Sequence, residues 1–151
     1  MKQTTLCYLL RDNDVLLALK KRGLGVGKWN GPGGKKIEGE TIEEACRREV
    51  FEETGMTVGA LEPRGVVRFC YDGHPDWTNE CAIFISRDFS GDLMETEEMN
   101  PKWFPIDGLP LSAMWESDVI WVQGVLAGGD VDLTVYFDDE DRMLTYERGG
   151  I

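Results

Sequence analysis

The chain of 151 residues is 42% hydrophobic and 29% charged, an ordinary composition for a globular protein. Its length predicts one domain over residues 1–151, able to bury roughly 70% of the surface that the unfolded chain exposes. The net charge of −12 argues against a nucleic acid polymer as partner, because such binding depends on many lysine and arginine contacts.

The first predicted elements are two strands and a glycine-rich loop. Residues 4–10 and 14–19 have the pattern of strands around a polar turn. Residues 23–34 hold six glycines and one proline, so this backbone can approach a ligand closely. Val15 to Ile37 contains six lysines and arginines and no acidic residue. Next to an acidic helix, such a segment suits a metal–polyphosphate complex.

A helix is predicted over about residues 41–54. Thr41 and Glu44 have the spacing of a capping box, which satisfies free backbone N–H groups at a helix start. Gly55 stands where a helix C-cap glycine belongs, because glycine adopts the left-handed conformation easily.

The second half of this helix carries three carboxylates on one face. Glu49, Glu52 and Glu53 recur at i, i+3 and i+4, following an apolar stripe on the same face. Burying bare carboxylates is costly, so this face predicts a cleft, a metal ion or both. Oxygen-only ligands favour magnesium, with manganese as the alternative, over zinc.

The rest of the chain mixes strands with a second helix. The predicted strands are residues 66–71, 80–86 and 103–104, and a terminal hairpin of residues 131–137 and 143–146. The predicted helix covers residues 113–126. Strands combined with two helices predict a three-layer α/β/α domain.

Location and assembly are predicted from composition. No apolar run reaches the roughly 18 residues of a membrane span, and the first residues do not have the pattern of a signal peptide. Cys7, Cys46, Cys70 and Cys81 form no Cys-x-x-Cys motif, which predicts buried reduced thiols in a cytoplasmic protein. A monomer is expected, because no exposed apolar stripe remains unassigned.

The acidic face belongs to a longer motif of fixed spacing. The pattern Gly-x5-Glu-x7-Arg-Glu-(aliphatic)-x-Glu-Glu-x-Gly-(apolar) is met by Gly34, Glu40, Arg48, Glu49, Glu52, Glu53 and Gly55. This is the Nudix box, and the chain therefore resembles the Nudix hydrolase family. The resemblance implies an α/β/α sandwich with a curved mixed sheet. It also implies metal-dependent hydrolysis, usually with magnesium, of nucleoside diphosphates linked to another group.

The same resemblance implies roles for the residues of the box. The expected metal ligands are Glu49, Glu52, Glu53, the backbone carbonyl of Gly34 and, from outside the box, Glu98. Arg48 would orient the carboxylates through ion pairs. The general base stays open between Glu52, Glu53 and Glu98.

Motifs outside the box narrow the resemblance. They are Lys20-Lys21-Arg22-Gly23, Trp29-Asn30-Gly31, Glu98-Met99, Trp103-Phe104 and Met114-Trp115. In this order and spacing they resemble the mammalian MutT-homologue branch of the family, over nearly the whole chain. That branch hydrolyses oxidised purine nucleoside triphosphates such as 8-oxo-dGTP to the monophosphate and pyrophosphate. It thereby keeps damaged bases out of new DNA.

This narrower resemblance implies a purine pocket. Asn30 and Asp118 would hydrogen-bond the two base edges, and Trp115 would stack on the ring, which contributes ~1–3 kcal/mol per base. The other expected lining residues are Thr5, Lys20, Phe69, Tyr71, Trp121 and Phe137. Of these, Phe69, Trp121 and Phe137 are explained equally well as core.

One departure from the branch keeps alternatives open. Two adjacent aspartates are expected where this chain has Ser117-Asp118, so a single acid remains and the preference among oxidised purines should shift. A second hypothesis is a Nudix hydrolase of ordinary nucleoside triphosphates, dinucleoside polyphosphates or nucleotide sugars. A third is a nucleotide-binding sensor without catalysis, against which the complete set of box glutamates argues. The preference between ribose and deoxyribose is left open.

Overall fold

A computed structural model describes residues 1–23 and 25–149 of the chain. Its elements, in order, are β1 (Lys2–Arg11), β2 (Asp14–Lys20), β3 (Trp29–Asn30), α1 (Ile42–Thr54), β4 (Thr57–Val58), β5 (Glu62–Tyr71), β6 (Asn79–Ser86), β7 (Phe89–Ser90), β8 (Met99–Pro105), α2 (Asp118–Leu126), β9 (Val131–Phe137) and β10 (Met143–Arg148). Three short 3-10 turns lie at Pro75–Trp77, Ile106–Gly108 and Leu111–Ala113.

The strands form one large mixed sheet. Its order is β10-β9-β5-β6-β1-β2-β3, and β8 also pairs with β2. The pairs β1–β6 and β5–β9 are parallel, whereas the other neighbours are antiparallel. A separate small sheet joins β4 to β7. The sheet therefore brings the start and the end of the chain together around β5 and β6.

Both faces of the sheet are covered by a helix. Along β1, Tyr8 and Leu10 belong to the core that contains α2, whereas Cys7 and Leu9 belong to the core under α1. This follows from the alternation of side chains along a strand, since buried strands carry apolar residues toward both faces. The predicted α/β/α layers and the mixed sheet are confirmed.

The ends of α1 match the sequence prediction. Thr41 Oγ1 accepts a hydrogen bond from the Glu44 backbone N–H at 3.1 Å, and the Glu44 carboxylate accepts one from the Thr41 N–H at 2.9 Å. Gly55 ends the helix with a φ of 83°. Losing such an N-cap typically costs about 1 kcal/mol. The two caps therefore fix the start and the end of α1, the helix that carries the acidic face.

Two predicted elements differ most from the structure. The strand expected at residues 103–104 is the seven-residue β8, which pairs with β2 along its length although it contains two prolines. The helix expected over residues 113–126 begins only at Asp118. The reason is local, because the Asp118 carboxylate accepts the Trp115 N–H at 3.1 Å and closes a turn before the helix.

The four cysteines are not equally buried. Cys7, Cys46 and Cys81 are buried, but Cys70 is only partly buried, so the expectation of a buried thiol was wrong for Cys70. All four are free thiols. In the described part of the chain, neither helix has the length and apolar character that crossing a membrane requires.

Candidate active site

A cavity of about 290 Å³ opens between the glycine-rich loop, the sheet and the start of α2. Its walls include eight of the predicted pocket residues, Thr5, Lys20, Asn30, Phe69, Tyr71, Trp115, Asp118 and Phe137. The structure therefore brings together residues that are up to 132 positions apart, by the pairing of β1, β5, β6 and β9. The volume lies near the lower end of small-molecule pockets, which begin at roughly 300 Å³.

Asp118 is the buried acid of this cavity. Its side chain is 2% exposed, and its carboxylate accepts a hydrogen bond from the Trp115 N–H. Burial raises the pKa of Asp118 to about 7, although the Trp115 N–H and the charge of Lys28 oppose the rise. Near neutral pH the group can therefore either donate or accept a hydrogen bond at the edge of a bound ring.

Asn30 and Trp115 are held by the glycine-rich loop. The Asn30 side-chain oxygen accepts a hydrogen bond from the Gly31 N–H at 2.9 Å, so the NH2 group remains as the donor for a ligand. The backbone of Gly25 lies directly on the Trp115 indole, because a methyl group at Gly25 would stand 2.8 Å from Trp115 Cζ2. Lys28 Nζ lies 6.0 Å from the same ring. Both side chains are thus positioned before a ligand arrives.

Three aromatic rings form one wall of the cavity. The rings of Tyr71 and Phe137 are stacked with centroids 4.5 Å apart and planes 7° from parallel. Phe69 lies 6.4 Å from Phe137. Burial raises the pKa of Tyr71 to about 12, so its hydroxyl stays neutral. This wall offers an apolar surface that suits a planar base.

Some residues are placed differently from the sequence expectation. Trp121 is 3% exposed and meets Tyr8 edge-on at 6.0 Å, so it lies in the core and is not part of the cavity wall. The cavity is also lined by residues that the pocket prediction left out, among them Lys28, Asn79, Cys81, Met99 and Ser117. For Asn79 and Cys81 the sequence held no signal, because their place depends on the pairing of β6 with β1. Met99 and Ser117 stood inside motifs already noted.

A second opening is the acidic cleft, of about 380 Å³, beside α1. It is lined by Glu49, Glu52, Glu53, Thr96, Glu97, Glu98 and Met99. Glu53 and Met99 also line the first cavity, so the two openings adjoin at these residues. A ligand with a ring and a charged tail can therefore occupy both.

The three box glutamates have different surroundings. The Glu53 carboxylate accepts the Gly33 N–H at 3.1 Å, and burial, followed by the charge of Glu49, raises the pKa of Glu53 to about 8. Burial also raises the pKa of Glu49, against the opposing effect of Arg48. Glu52, by contrast, is 55% exposed. Within one turn of α1, exposure therefore changes from Glu53, which lies in the cavity wall, to Glu52, which is open to solvent.

Arg48 braces this face of α1. Its guanidinium donates two hydrogen bonds to Glu40, at 2.8 and 3.1 Å, and one to the Lys35 carbonyl at 3.0 Å. It also pairs with Glu49 at 2.9 Å and with Glu52 at 3.3 Å. These bonds, with the Ile37 N–H, lower the pKa of Glu40 to about 2 and raise that of Arg48. Arg48 therefore ties the helix to the segment before it.

Gly34 and Glu98, the two expected ligands outside α1, both lie near the box acids. The Gly34 carbonyl accepts the Thr5 N–H at 2.9 Å and, more weakly, the Thr5 hydroxyl at 3.5 Å, so a cation at this oxygen would displace the longer bond. A methyl group on Gly34 would stand 2.5 Å from the Glu49 carboxylate, so a larger residue here would displace that carboxylate. Glu98 is 61% exposed and pairs with Arg22 at 3.2 Å.

The donors of the acidic cleft suit a divalent cation. They are carboxylate and carbonyl oxygens, and burial disfavours the ionised forms of Glu49 and Glu53, a cost that a bound cation offsets. Across residues 1–23 and 25–149 no three acidic, histidine or cysteine side chains stand ready-converged on one point. Arg48 holds Glu49 while Gly33 holds Glu53, so cation binding requires these side chains to exchange partners.

Comparison with known proteins agrees with this geometry. Residues 1–123 match the family model of the NUDIX domain. The chain belongs to the Nudix hydrolase family. Its fold class and its place among the hydrolases are thereby confirmed, and Nudix hydrolases generally use a divalent metal ion.

Relatives and solved structures extend the family assignment. The chain is 45% identical over 120 residues to an oxidized purine nucleoside triphosphate hydrolase of Danio rerio, covering 80% of this chain and 76% of the relative. It is 39% identical over 142 residues to the Mus musculus enzyme of the same name, covering 94% and 90%. A MutT protein from Bacillus halodurans superposes with a TM-score of 0.83 at 26% identity, over 97% of both chains.

Proposed function

We propose that this Nudix hydrolase cleaves oxidised purine nucleoside triphosphates of the 8-oxo-dGTP type to the monophosphate and pyrophosphate, and so cleans the nucleotide pool. The observation that carries the proposal is the junction at Glu53. There a ring-sized cavity with Asp118 and Asn30 in its wall adjoins the acidic cleft, with which it shares Glu53 and Met99. The names of the Danio rerio and Mus musculus relatives support the same substrate class.

The cavity offers the groups that this base requires. Oxidation at C8 of guanine adds a carbonyl and converts N7 from an acceptor into an N–H donor. Asp118 can accept from such an edge when ionised or donate to a carbonyl when protonated, and the Asn30 NH2 group donates. Trp115 and the wall of Phe69, Tyr71 and Phe137 enclose the ring. Buried polar groups that a wrong base leaves unpaired make such sites selective.

The phosphates are assigned to the acidic cleft. We assign Mg²⁺, with Mn²⁺ as a substitute, to Glu49, Glu52, Glu53, the Gly34 carbonyl and Glu98. When bound, the ion neutralises phosphate charge and helps to ionise the attacking water. Arg48 positions the carboxylates, and Lys20, whose charge already acts on Glu53, supplies local positive charge.

The residue that takes the proton of water is chosen from Glu52, Glu53 and Glu98. Glu53 is the best placed of these, because it lines both openings and its carboxylate is fixed by the Gly33 N–H. Glu98 is drawn toward Arg22 in this structure, and Glu52 lies in open solvent. Glu53 is therefore our choice for the general base.

The proposal is tested by kcat/KM measured with magnesium on a panel of 8-oxo-dGTP, 2-oxo-dATP, dGTP, dATP and a dinucleoside polyphosphate. The expected result is a preference for an oxidised purine, with pyrophosphate as product. A flat profile, or a preference for an undamaged nucleotide, would favour the alternative of a Nudix hydrolase with another substrate. Binding without turnover across the whole panel would favour the sensor.

The proposal extends to assembly and location. The chain acts as a single domain over residues 1–151 and as a monomer, in a reducing compartment such as the cytoplasm. The free state of Cys7, Cys46, Cys70 and Cys81 supports the reducing compartment. Size-exclusion chromatography with light scattering tests the monomer.

A further inference from the structure

Two polar atoms in the core next to the cavity have no hydrogen-bond partner. They are the hydroxyl of Tyr8 and the indole Nε1 of Trp121, in side chains that are 0% and 3% exposed. The two rings meet edge-on with centroids 6.0 Å apart, so both groups belong to one buried region. Buried polar groups are nearly always paired with protein or with ordered water.

This region lies directly against the base cavity. Trp121 follows Asp118 by one turn of α2. The Tyr8 ring touches the backbone of Gly31, where a methyl group would stand 2.7 Å from Tyr8 Cε1, and Gly31 lines the cavity. The pKa of Tyr8 is raised by burial first and then by the charge of Asp118, in agreement with this placement of the two side chains beside the same cavity.

We propose that Tyr8 is a positioning residue for Asp118. Its hydroxyl and the Trp121 N–H hold one buried water against the Asp118 carboxyl, and this network sets which base edge the acid can pair with. Three polar partners are the number that a buried water typically has. The effect on substrate choice rests on the proposed function. The hydrogen-bond network itself does not, because it is a property of the protein without a ligand.

The charged and titratable groups that face Asp118 are few. Lys28 approaches from the glycine-rich loop, while Tyr8 of β1 and Cys81 of β6 lie on the sheet side. Lys20 and Glu53 line the same cavity. Because a hydrogen bond donated to a carboxylate favours its ionised form, removing the Tyr8 hydroxyl should favour the protonated acid.

The test is Tyr8→Phe, which removes one oxygen and keeps the ring. The midpoint of the Asp118 titration is followed by carboxyl-carbon NMR in protein free of metal and nucleotide. We expect the midpoint to rise by about 0.5 pH unit or more, and any inflection in kcat/KM for 8-oxo-dGTP that follows Asp118 to move with it. Trp121→Phe should shift the midpoint in the same direction, and it carries the test if Tyr8→Phe does not fold.

Thr134→Val is the matched control. Its hydroxyl is also buried without a partner, but by strand alternation it lies on the face of β9 opposite to Leu133 and Val135. This variant should leave the Asp118 midpoint unchanged. If Tyr8→Phe also leaves the midpoint unchanged, whether its melting temperature rises or falls, the positioning role is overturned. A wild-type protein without preference for oxidised purines would overturn the proposed function alone, because the titration uses no nucleotide.

Discussion

Replacing Asp118 with asparagine should change how the free energy of unfolding depends on pH. Burial raises the pKa of this carboxyl from its ordinary 3.8 to about 7 in the folded protein. One pKa unit corresponds to about 1.4 kcal/mol, so ionising the buried acid costs the folded state about 4 kcal/mol relative to the unfolded chain. The raised pKa means that this stability is present below about pH 4 and is lost as the pH rises toward 7.

Urea denaturation of the wild type and of Asp118→Asn between pH 5 and 8.5 measures this cost. Asparagine cannot ionise, so the variant should be more stable by about 1.5 kcal/mol at pH 5 and about 4 kcal/mol at pH 8.5. The larger value corresponds to a melting temperature about 10 °C higher. Asp107→Asn, at an exposed site, is the matched control and should show no such trend. A difference between Asp118→Asn and wild type that stays constant over this range would refute the reasoning.

Three further variants test the loop, the box and the base edge. Gly25→Ala should raise KM about tenfold, because the new methyl group would press on Trp115, whereas Gly27→Ala has the same φ of 82° and nothing within 4 Å. Equal KM values for the two variants would mean that the contact between Gly25 and Trp115 does not affect substrate binding. Glu53→Gln should lower kcat by about 100-fold or more while circular dichroism stays unchanged; retained turnover would remove Glu53 from the mechanism. Ser117→Asp should alter the ratio of 8-oxo-dGTP to 2-oxo-dATP turnover, and an unaltered ratio would contradict a role for the missing acid.

The parts of the fold that could be predicted from the sequence are those encoded locally. Helix α1 was predicted with its caps because Thr41, Glu44 and Gly55 each make contacts within one or two turns. The Nudix box was readable for the same reason, since its carboxylates share one helix face. The prediction for helix α2 began five residues too early, at residue 113. The turn that Asp118 closes competes with the helical propensity of residues 113–117.

The parts that could not be predicted depend on strand pairing. The sequence contained Asn79 and Cys81, but only the parallel pairing of β6 with β1 brings them to the cavity. The opposite error concerns Trp121, which was predicted to line the cavity but lies in the core. A tryptophan near a binding motif can face the ligand or the core, and only the packing against Tyr8 decides between them.

The cavity wall runs from Thr4 to Phe137, and this has a consequence for biosynthesis. On the ribosome α1 is complete once Thr54 has been added, but the wall of the cavity is complete only after β9 has been made. A nascent or truncated chain can thus carry an intact box with no means of selecting a base. Non-local pairings of this kind also slow folding. Substrate discrimination is therefore a late property of the growing chain, and a C-terminal deletion that reaches β9 should remove it while the box stays intact.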